Sequence, residues 1–396
     1  MKKINAVVGE RHFFDHIAPV WNALPYEFRG NFFVHKSFEE YARSKYKRDD
    51  LVIFDNNNRL KDALKERQGD FLFVASWGDV KRTNDFMMPQ ILMEHGVGQA
   101  YIGVSSPSYV GNGDKGNVVL YLAPNEYAAL RHKTSFPATP YAMVGSPKLD
   151  SWKWRGKRRK TPIVTISFHW DCQVCDETRG AFDYYRPVLE SLSHTRKFLV
   201  KFHAHPRIAD KVKAFCAENK LEFWEDFETV ITRSDLYVVD NSSTLFEFAA
   251  GGNPVVVLNA PWYRREVSHG LRFWECADIG VQCDRPEDLK DKIFEALADA
   301  PEQKVKRRAA LQKAYWRTDG KARTRAVDAI INALRQPDNT PIRFRCEKYP
   351  FIQFFGTTIK FSEGEFVTDN LRLQNILKGA DKNLEIYWDE PSQTGA

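Results

Sequence analysis

Cysteine is scarce in this chain: Cys172, Cys175, Cys216, Cys276, Cys283 and Cys346 are all that 396 residues contain. Six thiols scattered at this density exclude a disulfide-stapled scaffold. Cys172 and Cys175 form a lone C-x-x-C with no second pair at zinc spacing, which reads as incidental thiols rather than a zinc or redox site. No run approaches the ~18 apolar residues of a membrane span. The first residues, MKKINAVVGE, are basic but pass directly into a short strand, without the apolar core and small-residue cleavage site of a signal peptide. The expectation is a cytoplasmic protein, with peripheral contact at the inner membrane face as its sharper variant. There is no D-x-D in a strand-end loop, so no metal is expected. Large charge asymmetry is missing too: the formal net charge is +6 and the pI about 8.8, too mild for a dedicated nucleic-acid binder.

What is present is an ordinary globular balance, 43% hydrophobic and 28% charged, on a chain too long for one core. Two domains are the prior. The positive charge is concentrated in Lys153–Lys160, KWRGKRRK, with six basic residues in eight. A solvated linker is the simple reading of this run. The sharper one is a patch facing anionic lipid, polyphosphate or nucleic acid.

The chain centres on Leu236 to Leu258, LYVVDNSSTLFEFAAGGNPVVVL. Tyr237 to Val239 is a buried strand by its β-branched run. Asp240, Asn241, Ser242 and Ser243 have N-cap chemistry. Leu245, Phe246, Phe248 and Ala249 supply a helix's apolar face, Gly251 and Gly252 stop it, and Pro254 to Leu258 is the next strand. A turn of this kind leaves backbone N–H groups and hydroxyls aimed at one point, where the helix dipole favours an anion. Two readings stand at this point: a phosphate-binding turn, and a plain βαβ unit with a well-capped helix.

Elsewhere strands alternate with helical stretches, the pattern of an open parallel α/β sheet. Strands are expected at Ile4–Val8, Phe32–Val34, Leu51–Phe54, Phe71–Ala75, Val118–Leu122 and Tyr141–Val144. A further short strand ends in Glu94, His95 and Gly96, where the glycine lets a ligand approach the backbone closely. Beyond the basic run the pattern restarts: strand Ile163–Ser167, helix Tyr185–Leu192, strand Phe198–Phe202 running into His203, His205 and Arg207, helix Ala209–Asn219, strand Leu221–Trp224. Val305–Arg335 reads as helical. After Pro337–Pro341 the sequence changes character, with short β-like runs at Phe351–Phe355 and Thr357–Phe361. The expected domains are 1–152, a Rossmann-like acceptor domain; 161–320, a Rossmann-like donor domain; and 321–396, a helix and β-rich extension without a functional reading.

Four segments carry a family resemblance. VVDNSSTLFEFAAGGNPVVVL is similar to the D-Y-S-S-x-x-F-D-F…K-P-I-I-F segment of the CDP-glycerol glycerophosphotransferases that polymerise teichoic acids. LVKFHAHPR at 199–207 resembles their L-R-x-H-P strand end. ILMEHGVGQAY resembles their W-H-G-T-P loop, and LAPNEYAALRHKT…YAMVGSPKLD at 122–150 their S-P-S-E-Y…G-x-P-R-x-D segment. The matches fall in the family's order over roughly residues 90 to 260. Asn241 replaces an aromatic, Val97-Gly98 replaces Thr-Pro, and Lys148 stands where the family has Arg. The resemblance implies a GT-B fold, α/β, with two doubly wound Rossmann-like domains facing a cleft and a small C-terminal β-rich extension.

It also implies a transferase that moves glycerol phosphate, or a glycosyl group, from a CDP- or UDP-linked nucleotide-diphosphate donor to a hydroxyl on a polyanionic, lipid-linked or other acceptor, with no cofactor. An acceptor hydroxyl needs a general base, and His95 is the candidate. The departing nucleotide phosphate needs fixed donors, which His205, Arg207, Asp240, Ser242, Ser243 and Thr244 can supply. Glu247, a turn further in, is placed either to reach the ribose or simply to face solvent. His203 lies deeper on the same strand face and is the weaker ligand of its pair. The alternatives are a nucleotide-sugar glycosyltransferase acting on a protein, glycan or modified nucleic acid, and a non-catalytic binding protein that uses its tail as the working surface.

Overall fold

A computed structural model describes the chain apart from Met1, 47–49, Gln68, 84–87, 98–116, 151–158, 172–178, Asn241, 264–278, 336–339, 355–356, Asp381 and 390–396. The C-x-x-C pair and most of the basic run lie outside the described residues. The chain forms two compact units, one built from residues up to Lys148 and again from Lys321 onward, the other from Leu149 to Gly320.

The first unit is centred on a seven-stranded sheet of β1 (Ile4–Val8), β2 (Arg29–His35), β3 (Leu51–Phe54), β4 (Phe71–Val74), β5 (Gln90–Met93), β6 (Val118–Ala123) and β7 (Tyr141–Met143). Its order is β3-β2-β1-β4-β5-β6-β7, and each neighbouring pair is parallel. The second sheet holds β8 (Ile163–Phe168), β9 (Leu199–Ala204), β10 (Glu222–Phe223), β11 (Leu236–Val239), β12 (Val255–Leu258) and β13 (Val281–Cys283), ordered β10-β9-β8-β11-β12-β13. Both are doubly wound sheets whose order reverses beside the first strand, at β1/β4 and at β8/β11. Such reversals open the crevice where α/β sheets take ligands. The continuous apolar runs of β4, β11 and β12 follow from burial on both faces, and these strands and β1 are fully buried.

The expected helix over Val305–Arg335 is two helices, Pro301–Tyr315 and Ala322–Arg335. Between them Trp316 (φ 55°) and Gly320 (φ 71°) take left-handed backbone, which a continuous helix excludes. The chain passes from the second unit to the first at this break. Ala326, Val327, Ile330 and Leu334 of the later helix join the core formed with the Arg11–Ala23 helix.

The segment after Pro341 folds with the first unit. β14 (Ile342–Arg345), β17 (Glu365–Thr368) and β18 (Tyr387–Trp388) make an antiparallel sheet, and β15 (Phe351–Phe354) and β16 (Thr357–Lys360) form a hairpin. Asn375, on the Leu371–Lys378 helix, anchors it: its Oδ1 accepts from the Ala138 amide at 2.9 Å and its Nδ2 donates to Thr139 Oγ1 at 2.8 Å. Among the described residues no helix is long and apolar enough to cross a membrane.

Candidate functional site

In the first unit the strand-end loops are held by buried side chains. Asp79, after β4, accepts from the Gly9 amide after β1 at 3.3 Å and from Ser76 Oγ at 3.0 Å, and ion-pairs with Arg82. Burial raises its pKa to about 6, against the opposing pull of Arg82 and its hydrogen bonds. The helix that follows β1 brings Phe13, His12 and His16 to His95, with ring centroids 4.5, 5.9 and 6.3 Å away.

His95 itself is half-buried at the end of β5. Its Nδ1 lies 2.8 Å from the Ala75 carbonyl oxygen. A carbonyl only accepts, so this bond requires the proton on Nδ1 and leaves the lone pair of the neutral ring on Nε2. Gly96 follows at φ 72°, a conformation that disfavours a side chain. On either side of His95 the neighbouring residues are tied down, Glu94 through its side chain and Val97 through its backbone. Glu94 accepts from the Tyr121 hydroxyl and pairs with Arg131 at 3.3 Å, and Asn125 Nδ2 donates to the Val97 carbonyl at 2.8 Å. Lys148, also buried, lies close enough to His16 to help hold that ring's pKa well below normal, after burial itself and ahead of His95 and His12.

In the second unit, strand register brings three loops together. Ser167 of β8 pairs with His203 of β9 and with Val239 of β11, so the chain leaves these three strands side by side at Phe168, Ala204 and Asp240. The His205 ring is 5.4 Å from His169 and 5.9 Å from Trp170 by centroids. The Arg207 guanidinium lies 4.2 Å over the Trp170 ring, a cation–π contact. His205 Nδ1 accepts from the Arg207 amide at 3.2 Å, which places the neutral ring's proton on Nε2, the reverse of His95. Burial, then His169, Arg207 and His203, bring its pKa down to about 3, so the ring stays neutral across the ordinary pH range. His203 is spent within the fold, its Nδ1 donating to the Trp224 carbonyl at 2.8 Å.

The turn after β11 differs from its expected form. The helix is one of six residues, Thr244–Ala249, and its N-cap Ser243 makes no side-chain cap bond. Asp240 is no cap either. It is fully buried, and its two oxygens accept from the His169 amide at 2.6 Å and the Ala181 amide at 2.8 Å. The Thr244 hydroxyl is shared with Tyr237 at 3.0 Å and Ser242 Oγ at 2.8 Å. Ser242, Ser243 and Thr244 are each half-exposed. Glu247 is 2% exposed, which removes the solvent-facing alternative. Gly252 ends the segment at φ 81°.

His205, Arg207, Ser242, Ser243 and Thr244 therefore emerge at one sheet end, while Asp240 and Glu247 sit beneath that surface. His169 and Trp170 belong to the same cluster and were not among the residues singled out from sequence. Their signal was position: they directly follow β8, the strand beside the reversal. Of the basic run, Arg159 pairs with the buried Asp235 carboxylate at 3.5 Å, so this charge is engaged within the second unit. Among the described residues no group of three or more His, Cys, Asp or Glu is placed to hold a metal.

Residues 154–332 match the family described as CDP-Glycerol:Poly(glycerophosphate) glycerophosphotransferase. No curated protein sequence matches the chain. Among solved structures, the wall teichoic acid polymerase TagF, as a variant soaked with CDPG, is 12% identical, with 85% of this chain and 89% of that chain covered and a TM-score of 0.56. S. aureus MnaA with UDP is 15% identical, with 85% and 99% covered and a TM-score of 0.62. UDP-GlcNAc 2-epimerase from Neisseria meningitidis bound to UDP-GlcNAc is 14% identical, with 83% and 100% covered and a TM-score of 0.59. The fold is the GT-B fold of these enzymes, and residues 154–332 resemble the glycerophosphotransferase family.

Proposed function

We propose that this GT-B transferase moves a glycerol-phosphate or glycosyl group from a nucleotide-diphosphate donor to an acceptor hydroxyl. The second unit holds the donor phosphates through His205, Ser242, Ser243 and Thr244, with Arg207 adding charge. His95 of the first unit is the general base. The observation that carries this reading is the opposite tautomer of the two histidines: His95 offers Nε2 as an acceptor, and His205 offers Nε2–H as a donor. A base must accept a proton, and a phosphate ligand that stays neutral must donate one.

In the glycerol-phosphate version, His95 Nε2 takes the acceptor's hydroxyl proton as its oxygen bonds to the phosphorus carrying glycerol. The P–O bond to the nucleoside monophosphate breaks, and the departing phosphate keeps that electron pair. Fixed donors at the departing phosphate stabilise charge that grows in the transition state. In the glycosyl version the bond forms at the sugar's anomeric carbon and a nucleoside diphosphate departs. The CDPG-soaked TagF variant and the family description support the first version, and the UDP-bound neighbours the second nucleotide. The acceptor is a polyanionic or lipid-linked hydroxyl compound in this reading, and the Lys153–Lys160 run is its electrostatic contact.

A thermal-shift panel of CDP, UDP, GDP and ADP tests the reading. CDP stabilising most supports glycerol-phosphate transfer, and UDP or GDP stabilising most supports a glycosyltransferase. Stabilisation by none of the four overturns the donor site and leaves a binding protein.

A further inference from the structure

Asp240 was expected at the donor phosphates, but its carboxylate points the other way, into the protein. One oxygen accepts from the His169 amide and the other from the Ala181 amide, at 2.6 and 2.8 Å. Its backbone carbonyl accepts from Ser242 N at 2.7 Å, opening the serine turn. A single buried side chain thus joins the backbone after β8 to the backbone after β11. His169 and Trp170, fixed at the near end of this clasp, are the rings that abut His205 and underlie Arg207.

The first unit has a counterpart. Asp79 likewise joins the loop after β4 to the loop after β1, through Gly9. Asp79 has the Arg82 guanidinium beside it, whereas the hydrogen bonds to the Asp240 carboxylate come from backbone amides. Among the described residues the titratable side chain coupled to Asp240 is Tyr237 from its own strand, with Glu247 beyond it; His169 meets the carboxylate through its backbone amide. Among the described residues the carboxylate's partners are backbone N–H donors, with no ion pair, a site that needs both oxygens as acceptors. A protonated carboxyl turns one of them into a donor, and donor then faces donor.

We propose that Asp240 is a positioning residue of the donor site, whose ionised form clasps the two loops and seats His169 and Trp170 against His205. This rests on the reading of the second unit as the donor site. Burial sets the cost: it raises the Asp240 pKa to about 7, against the lowering effect of the amide bonds. The sign of the linkage separates function from stability. For an acid with a raised folded-state pKa, the burden of the buried charge is carried above about pH 7 and is relieved as pH falls toward the ordinary 3.8. The clasp itself is lost as pH falls through about 7, at the upper end of that window. Acidification through pH 7 therefore weakens donor binding without lowering this group's contribution to stability.

The test compares the wild-type protein with Asp240→Asn for CDP and UDP affinity from pH 8 to 6, alongside melting temperature. At pH 8 the variant is expected to bind about tenfold more weakly, and the gap to close toward pH 6, since one proton moves the equilibrium by at most about tenfold per pH unit. Because Asn does not titrate, the difference between the two profiles removes the nucleotide's own ionisation. Amide hydrogen exchange at His169 and Ala181, read without nucleotide, is expected to speed up in the variant. Equal affinities at pH 8, parallel pH profiles, or a melting temperature that falls in step with affinity overturn the proposal. If the variant does not fold, the wild-type profile decides: affinity must fall with acid while the melting temperature holds. If wild-type protein binds neither nucleotide at pH 8, the donor-site reading itself falls, and this proposal with it.

Discussion

His95 and His205 each lie just beyond the carboxyl end of a parallel strand, one in each unit, and neighbouring backbone groups use the two rings in opposite ways. In the first unit a carbonyl, Ala75 O, takes the Nδ1 proton. In the second an amide, Arg207 N–H, fills the Nδ1 lone pair. The same residue type thus becomes an acceptor at Nε2 in one unit and a donor in the other. The surroundings differ in the same sense. His95 sits among His12, Phe13 and His16, with its neighbours fixed by Glu94 and Asn125. His205 lies beside His169, Trp170 and the hydroxyl-rich turn. One local hydrogen bond is enough to assign a histidine's chemistry, and motif matching does not see it.

The contrast is broken most directly by mutating both rings. His95→Ala is expected to lower the single-turnover rate by roughly 10²–10⁴-fold, the range for a lost general base, with nucleotide affinity nearly unchanged. His205→Ala is expected to weaken nucleotide binding as well as turnover. Equal loss of nucleotide by the two variants, measured by calorimetry, rules out the division of roles.

A second variant separates support from chemistry. Glu94→Gln leaves the buried Arg131 guanidinium without its carboxylate and is expected to cost about 3–5 kcal/mol of stability by denaturant titration. Nucleotide affinity at temperatures where the variant is folded should match the wild type. Coupled loss of both would place Glu94 in donor binding.

Smaller again is the serine pair. Ser242→Ala with Ser243→Ala is expected to weaken CDP or UDP binding by about 1–3 kcal/mol, the scale of hydrogen bonds to charged groups. Unchanged affinity in a folded double variant removes the hydroxyls from the donor site. The smallest effect concerns salt. Acceptor binding is expected to weaken several-fold between about 50 and 200 mM salt as screening shortens the reach of the Lys153–Lys160 charge, while donor binding hardly moves. An acceptor affinity indifferent to salt leaves the run as a solvated linker, a role that Arg159's bond to Asp235 already suits.

The sequence by itself determined the architecture. Unbroken apolar runs bounded by turn residues, such as Phe71–Val74 and Val255–Leu258, read as strands buried on both faces, and glycines mark turns, Gly96 after the β5 strand and Gly252 ahead of Val255–Leu258. The alternation of strands and helices was therefore readable locally, as were His95 and His205 at their strand ends. The single helix read over Val305–Arg335 failed because its break, at Trp316 to Gly320, is made where the chain changes unit and owes nothing to a helix-breaking proline. Only the tertiary structure decided where Asp240 points, because the amides it accepts from belong to His169 and Ala181, more than fifty residues away in the chain. The same holds for Glu247, drawn into the interior as its helix packs, and for Trp170, which meets Arg207 across two strands. Hydrogen-bond partners are chosen by strand order and register, and a one-dimensional pattern of side chains does not specify them.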